Sequence, residues 1–175
     1  MPLLKDILIG MVAGLIATLA LSVLMLTKEH LPQLDTITML DGVLVAFLAE
    51  VRRWAPPTPI GGWLWFFAIG TVWWGALYAV MEPILPGRWP WARGLSFGVI
   101  ATLLVWLMVL PLAGAGYFGM QLSAIQPVVT LFEHLVYGVI LGEAYGRLNA
   151  RTRSPDSHSS HIVTAVGDER EVYEG

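Results

Sequence analysis

The chain contains no cysteine and, for 175 residues, little charge: ten Lys and Arg, thirteen Asp and Glu, and four His. Without cysteine there are no disulfides, thiolate metal sites, iron–sulfur clusters or c-type haem attachments, which leaves His, carboxylate and backbone chemistry. The charged fraction, 13%, is about half the ~25% of an ordinary soluble domain. Nine of these charges fall in the last 29 residues, so too few remain to solvate a folded surface of this size. A formal net charge of -3 leaves no basic footprint for nucleic acid, which is excluded as a partner. What is abundant is hydrophobic sequence, 56% of the chain, and the solvent that suits it is lipid.

Residues Ile7 to Thr27 carry no charge. As a helix they would span roughly 31 Å at 1.5 Å per residue, the thickness of a bilayer core. Lys5 before them resembles the start of a secretory signal, but the apolar run is longer than such signals use and ends at Lys28-Glu29-His30 without a convincing small-residue cleavage site. A retained anchor is expected. From Asp35 to Arg53 apolar residues such as Leu40, Leu44, Phe47 and Val51 share one helical face, opposite Thr38, Gly42, Glu50 and Arg53, which predicts an amphipathic helix lying in the interface at 35–53. Pro56, Pro57 and Pro59 then stiffen the chain, and Gly61-Gly62 lets it turn.

A second span is expected at about 63–81, with Trp54, Trp63 and Trp65 at its start and Trp89 and Trp91 past its end, at headgroup depth. Between Arg93 and Glu133 lie 39 uncharged residues, too many for one helix and interrupted by Pro111, Gly114, Gly116 and Gly119. They divide into a third span at 94–110, a glycine-rich connection, and a fourth span at 127–148. The predicted fold is therefore all-α and polytopic: four transmembrane helices, one interfacial helix, and a polar tail at 149–175 expected to be disordered. Four crossings place both termini on one side. Lys5, Arg88, Arg93, Arg147, Arg151 and Arg153 gather there, against Lys28, Arg52 and Arg53 opposite, so the positive-inside rule puts the termini in the cytoplasm and the interfacial helix outside.

Gly14-Leu15-Ile16-Ala17-Thr18-Leu19 recurs as Gly98-Val99-Ile100-Ala101-Thr102-Leu103, and the small-residue rows Gly10, Gly14, Thr18 and Gly94, Gly98, Thr102 superpose at the same offset. The second and fourth helices share a fainter echo, Gly75 to Tyr78 and Gly142 to Tyr145. The chain thus reads as two related hairpins. Rows at i, i+4 spacing, with Gly138, Gly142 and Gly146 forming a third, let helix backbones approach closely where lipid supplies no hydrophobic drive. Packing inside one bundle is the plainer use of these rows, and a homodimer face the other.

The chain resembles a family of small four-pass bacterial membrane proteins catalogued only as a domain of unknown function. The resemblance rests on Pro111-Leu112-Ala113-Gly114-Ala115-Gly116-Tyr117-Phe118-Gly119, on His134-Leu135-Val136-Tyr137-Gly138 with Gly142 and Tyr145-Gly146, and on the Gly-x-Ile-Ala-Thr starts. It covers about residues 7–148 and implies a fold and no established activity; the expected location is a bacterial inner membrane. A His is common in that family early in the second helix, where this chain has Phe66 and Phe67, which speaks against a two-His site across the helices.

Ionisable residues within spans are functional candidates because placing them there is costly. Glu143 and Arg147 stand in the favourable i, i+4 order of a structural ion pair. Glu133 and His134 have no cation one turn away. With Tyr137, Tyr117, Gln121 and Gln126, and with Glu29 and His30 at the end of the first helix, they form the candidate intramembrane polar site. A hydrogen-bonded structural cluster, a proton or ion relay, and a cation site are its readings in decreasing order, and no metal or cofactor is expected. The Pro111 to Gly119 segment is a second candidate, either as unwound backbone that shows carbonyls to a solute or as a tight outer turn. Ser22, Ser96 and Thr102 lack a neighbouring base, so an enzyme is not expected. Two functional readings follow: an accessory or scaffold subunit, whose partners are the bilayer and other membrane subunits or a second copy of the chain, and a small oligomeric proton or ion transporter using Glu133 and His134.

Overall fold

The computed structural model describes residues 2–29, 59–112, 114–121 and 124–153. The interfacial helix expected at 35–53 and the tail from 154 onward lie outside the described residues. Those described are helical, with no strand among them. Helix α1 runs Pro2–Glu29. Helix α2 runs from Pro59–Ala68 through a widened π turn, Ile69–Trp74, into Gly75–Met81, and closes in a 3-10 turn at Glu82–Ile84. Helix α3 comprises Pro90–Leu104, a second π turn at Val105–Val109, and Leu110–Leu112. Helix α4 runs Gln126–Arg153.

Four stretches are long and apolar enough to cross a membrane: Leu3–Leu24, Trp63–Ile84, Pro90–Leu112 and Gln126–Thr152. Two boundaries differ from the sequence reading for identifiable reasons. Helix α3 starts four residues before Gly94 because Pro90 takes the first helical position, where its missing N–H costs nothing, behind an extended Trp89. Arg93 is accommodated inside the helix because Glu82 pairs with it across the loop. Helix α4 continues past residue 148 to Arg153, so the first five residues assigned to the tail are helix. Its end is held by Lys5, whose Nζ donates to the Thr152 carbonyl at 3.0 Å. Such a cation on the last carbonyls both satisfies an orphan acceptor and complements the helix dipole. It also fixes the two ends of the transmembrane region at the same end of the bundle.

The packing sorts side chains by size. On α1 the buried face is Ile9, Gly10, Ala13, Gly14, Ala17, Thr18 and Leu21, while Leu8, Val12, Leu15, Ile16, Leu19 and Val23 are exposed. Small residues turn inward because tails of lipid are as apolar as Leu, so helices gain by backbone approach rather than by hiding large side chains. A Cβ at Gly75 would sit 2.5 Å from the Gly10 carbonyl oxygen, and one at Gly98 would sit 2.5 Å from that of His134. Gly94 is closed in the same way by the backbone of Gly138.

The two hairpins repeat in three dimensions. Gly10 meets Gly75 between α1 and α2 as Gly94 meets Gly142 between α3 and α4, and Gly14 meets Thr71 as Gly98 meets Gly138. Thr18 donates to the Gly14 carbonyl at 2.8 Å, and Thr102 donates to Gly98 at the same distance. Tyr78 and Tyr145, equivalent in the echo, meet edge to face with ring centroids 5.3 Å apart. The small-residue rows therefore serve packing within the bundle. From Tyr145 a chain of edge-to-face rings continues through Tyr78, Phe97 and Trp74 to His134. Each such pair adds about 0.5–1.5 kcal/mol beyond its buried area.

Candidate functional site

The polar residues within the bundle are placed by the π turn of α2. Such a turn shifts the helix register by a fraction of a turn, and here it carries Gly70 and Thr71 against α1, where a side chain on Gly70 would collide with the Thr18 hydroxyl. The buried Gly70 carbonyl accepts a hydrogen bond from the Tyr137 hydroxyl of α4 at 2.5 Å, with the Thr18 hydroxyl beside it. Three helices are thus tied at one point by residues 18, 70 and 137. One turn earlier on α4, His134 Nδ1 lies 2.8 Å from the carbonyl oxygen of Thr130, to which the tautomer protonated at Nδ1 donates. The ring lies edge-on to Trp74, with centroids 6.1 Å apart. Gln126, 1% exposed at the start of α4, donates through Nε2 to Thr130 Oγ1 at 3.1 Å. Its Oε1, with Thr71 Oγ1 and Trp106 Nε1, is buried without a hydrogen-bond partner among the described residues.

The site anticipated from sequence is therefore partly assembled. Tyr137, His134 and Gln126 line the inward side of α4. Glu133 is partly exposed. Tyr117, 66% exposed, and Gln121, also exposed, stay outside the cluster in the connection between α3 and α4. The Glu29 side chain and His30 lie outside the described residues. No group of three or more His, Asp or Glu that could hold a metal ion occurs among those described.

The Pro111 to Gly119 candidate is a tight turn. Gly114, Gly116 and Gly119 take φ of 72°, 70° and 74°, conformations that suit glycine. The carbonyls of Leu110, Pro111, Ala115, Gly116 and Tyr117 accept backbone N–H groups from within the turn. They are engaged rather than presented to a solute. Phe118 also adopts a positive φ of 62°, a strained state for a side chain of this size, and its ring packs on Trp106 with centroids 5.2 Å apart.

A family model described as a family of unknown function (DUF6789) matches residues 4–156. The chain belongs to this family. No curated protein and no solved structure matches it. The match takes in all four spans of this DUF6789 member.

A second polar region was not visible in the sequence reading. At the end of the bundle that carries Lys5 and Thr152, a recess of about 350 Å³ opens among the ends of α2 and α4 and the start of α3. Arg93 pairs with Glu82 through Nη1 and donates through Nε to the Gly87 carbonyl at 3.1 Å. Tyr78, Tyr145, Arg88 and Asn149 complete its polar lining. The Glu143–Arg147 pair read from the i, i+4 spacing forms nearby on α4, at 3.1 Å. Glu82 and Arg93 carried no such signal because they are brought together by the turn between two helices.

Proposed function

We propose that this protein is a non-catalytic accessory or scaffold subunit of a membrane assembly, resident in the inner membrane of a bacterium with both termini in the cytoplasm. The observation that supports this best is the use of an interior polar group as a tie: the Tyr137 hydroxyl of α4 is bonded to the Gly70 carbonyl of α2. A side chain committed to holding helices together is poorly placed to exchange protons or substrate. The lipid-facing surface is in turn broad and apolar, including Val72, Trp73, Leu107 and Met108, and offers room for neighbouring subunits. Gentle detergent extraction followed by native mass spectrometry is expected to return the chain bound to another subunit or to a second copy. Recovery only as a free monomer would overturn the reading.

One observation favours the alternative of a small oligomeric proton or ion pathway through Glu133 and His134: the unpartnered buried atoms of Thr71, Trp106 and Gln126, which solute or water would satisfy. Proteoliposome flux of protons and monovalent cations separates the two. Flux lost in Glu133→Gln and His134→Ala supports the pathway, and flux absent or unchanged in both supports the subunit.

A further inference from the structure

The recess at the terminal end of the bundle has the composition of an anion site. Arg88 and Arg93 face one carboxylate, Glu82, so the lining carries one net positive charge. Arg93 is held in orientation by Glu82 and by the Gly87 carbonyl. Arg88 is exposed and has no ion pair among the described residues. The N-terminus of α3 opens at the same place, with an extended Trp89 that supplies no side-chain cap, and its dipole adds to the positive potential.

A buried polar atom gives an independent indication of a ligand: Asn149 Oδ1 has no hydrogen-bond partner among the described residues. Beside it Tyr78, 1% exposed, brings a phenol to the recess wall. Both residues line the recess. A phenolic O–H in a cationic recess suits an anionic oxygen, and an amide oxygen left over beside it suits a hydroxyl. A buried acceptor such as Asn149 Oδ1 is costly when unsatisfied, and a ligand hydroxyl would relieve that cost. The surroundings fit headgroup depth, since Trp89 and Trp91 are exposed at the rim. Basic recesses between helix ends are a recurrent way to hold anionic headgroups.

We propose that this recess binds a phosphate ester that also carries a free hydroxyl, such as a phosphoglycerol group. Arg88, aided by the dipole of α3, holds the phosphate, the Tyr78 hydroxyl donates to one of its oxygens, and Asn149 Oδ1 accepts from the hydroxyl. The group belongs to a membrane lipid headgroup or to a soluble ester. The proposal stands apart from the accessory-subunit reading, because such a recess would bind its ligand whether or not the chain has a partner.

The test uses the full chain in mild detergent, titrated with a phosphoglycerol lipid and a phosphocholine lipid of identical acyl chains, and read by native mass spectrometry. The phosphoglycerol lipid is expected to bind at least about tenfold more tightly. Arg88→Gln, at an exposed loop position that leaves the fold intact, is expected to remove most of that preference, as is Tyr78→Phe. Arg147→Gln, a control cation outside the recess, is expected to keep it. A competition arm with soluble glycerol phosphate identifies the source: displacement of the lipid at comparable concentration indicates a soluble ester, and failure to displace indicates the lipid. Equal binding of the two lipids, or equal losses in Arg88→Gln and Arg147→Gln, would overturn the proposal.

Discussion

Tyr137 contributes more to the bundle than its single hydroxyl suggests, because the bond to Gly70 joins α4 to the widened turn of α2 at the point where Thr18 of α1 arrives. Tyr137→Phe keeps the ring and removes the bond. It is expected to lower stability by about 1–3 kcal/mol, the cost of an unsatisfied buried acceptor. Equilibrium unfolding in mixed micelles would measure it, with the exposed Tyr117→Phe as a variant that changes nothing. At this scale legibility followed local geometry. Glu143 and Arg147 could be paired on paper because helical spacing alone brings them together, and Tyr137 could be singled out as polar and intramembrane. Tyr117 and Gln121 were drawn into the same cluster because they are near it in the chain. A turn has no side-chain periodicity, however, and three positive-φ glycines direct it outward.

Among the elements, the glycine rows decide which helices meet. Because the atoms facing Gly10 and Gly94 are backbone carbonyls of the neighbouring helix, an added methyl cannot be absorbed by a side-chain rotation. Gly10→Ala and Gly94→Ala are each expected to destabilise the bundle by about 1–3 kcal/mol or more, despite the better helix propensity of Ala. Their effects are expected to be similar, since the two positions are equivalent in the repeat. Leu103→Ala, on the lipid-facing side of α3, is the control in the same unfolding assay. The six-residue repeat was plain in the sequence, and so was the close packing that glycine rows imply. The π turns at Ile69–Trp74 and Val105–Val109 were not, because no composition distinguishes an extra residue in a helical turn from a regular one. Those turns set the registers that aim Gly70 at Tyr137.

For the whole molecule, four crossings and the Lys5–Thr152 bond put the ends of the transmembrane region together. The absence of cysteine makes this directly measurable, because any introduced thiol is unique. Arg88→Cys and Arg151→Cys are expected to react with a membrane-impermeant maleimide from the same face, and Met120→Cys from the opposite face. If the basic end is cytoplasmic, intact cells would protect the first two and label the third. The reverse pattern would invert the proposed topology without altering the fold.

The sequence by itself determined the lipid environment, the number of spans, the repeat and the family, because these depend on composition and on intervals along one chain. Which helix lies against which, the shared tie among Thr18, Gly70 and Tyr137, and the recess around Tyr78 and Arg93 were decided only by the tertiary structure. Each of those features joins groups that are distant in sequence, through turns that widen, bend or reverse the chain. The direction of a side chain after such a turn is set by the packing of whole helices, which no local interval records.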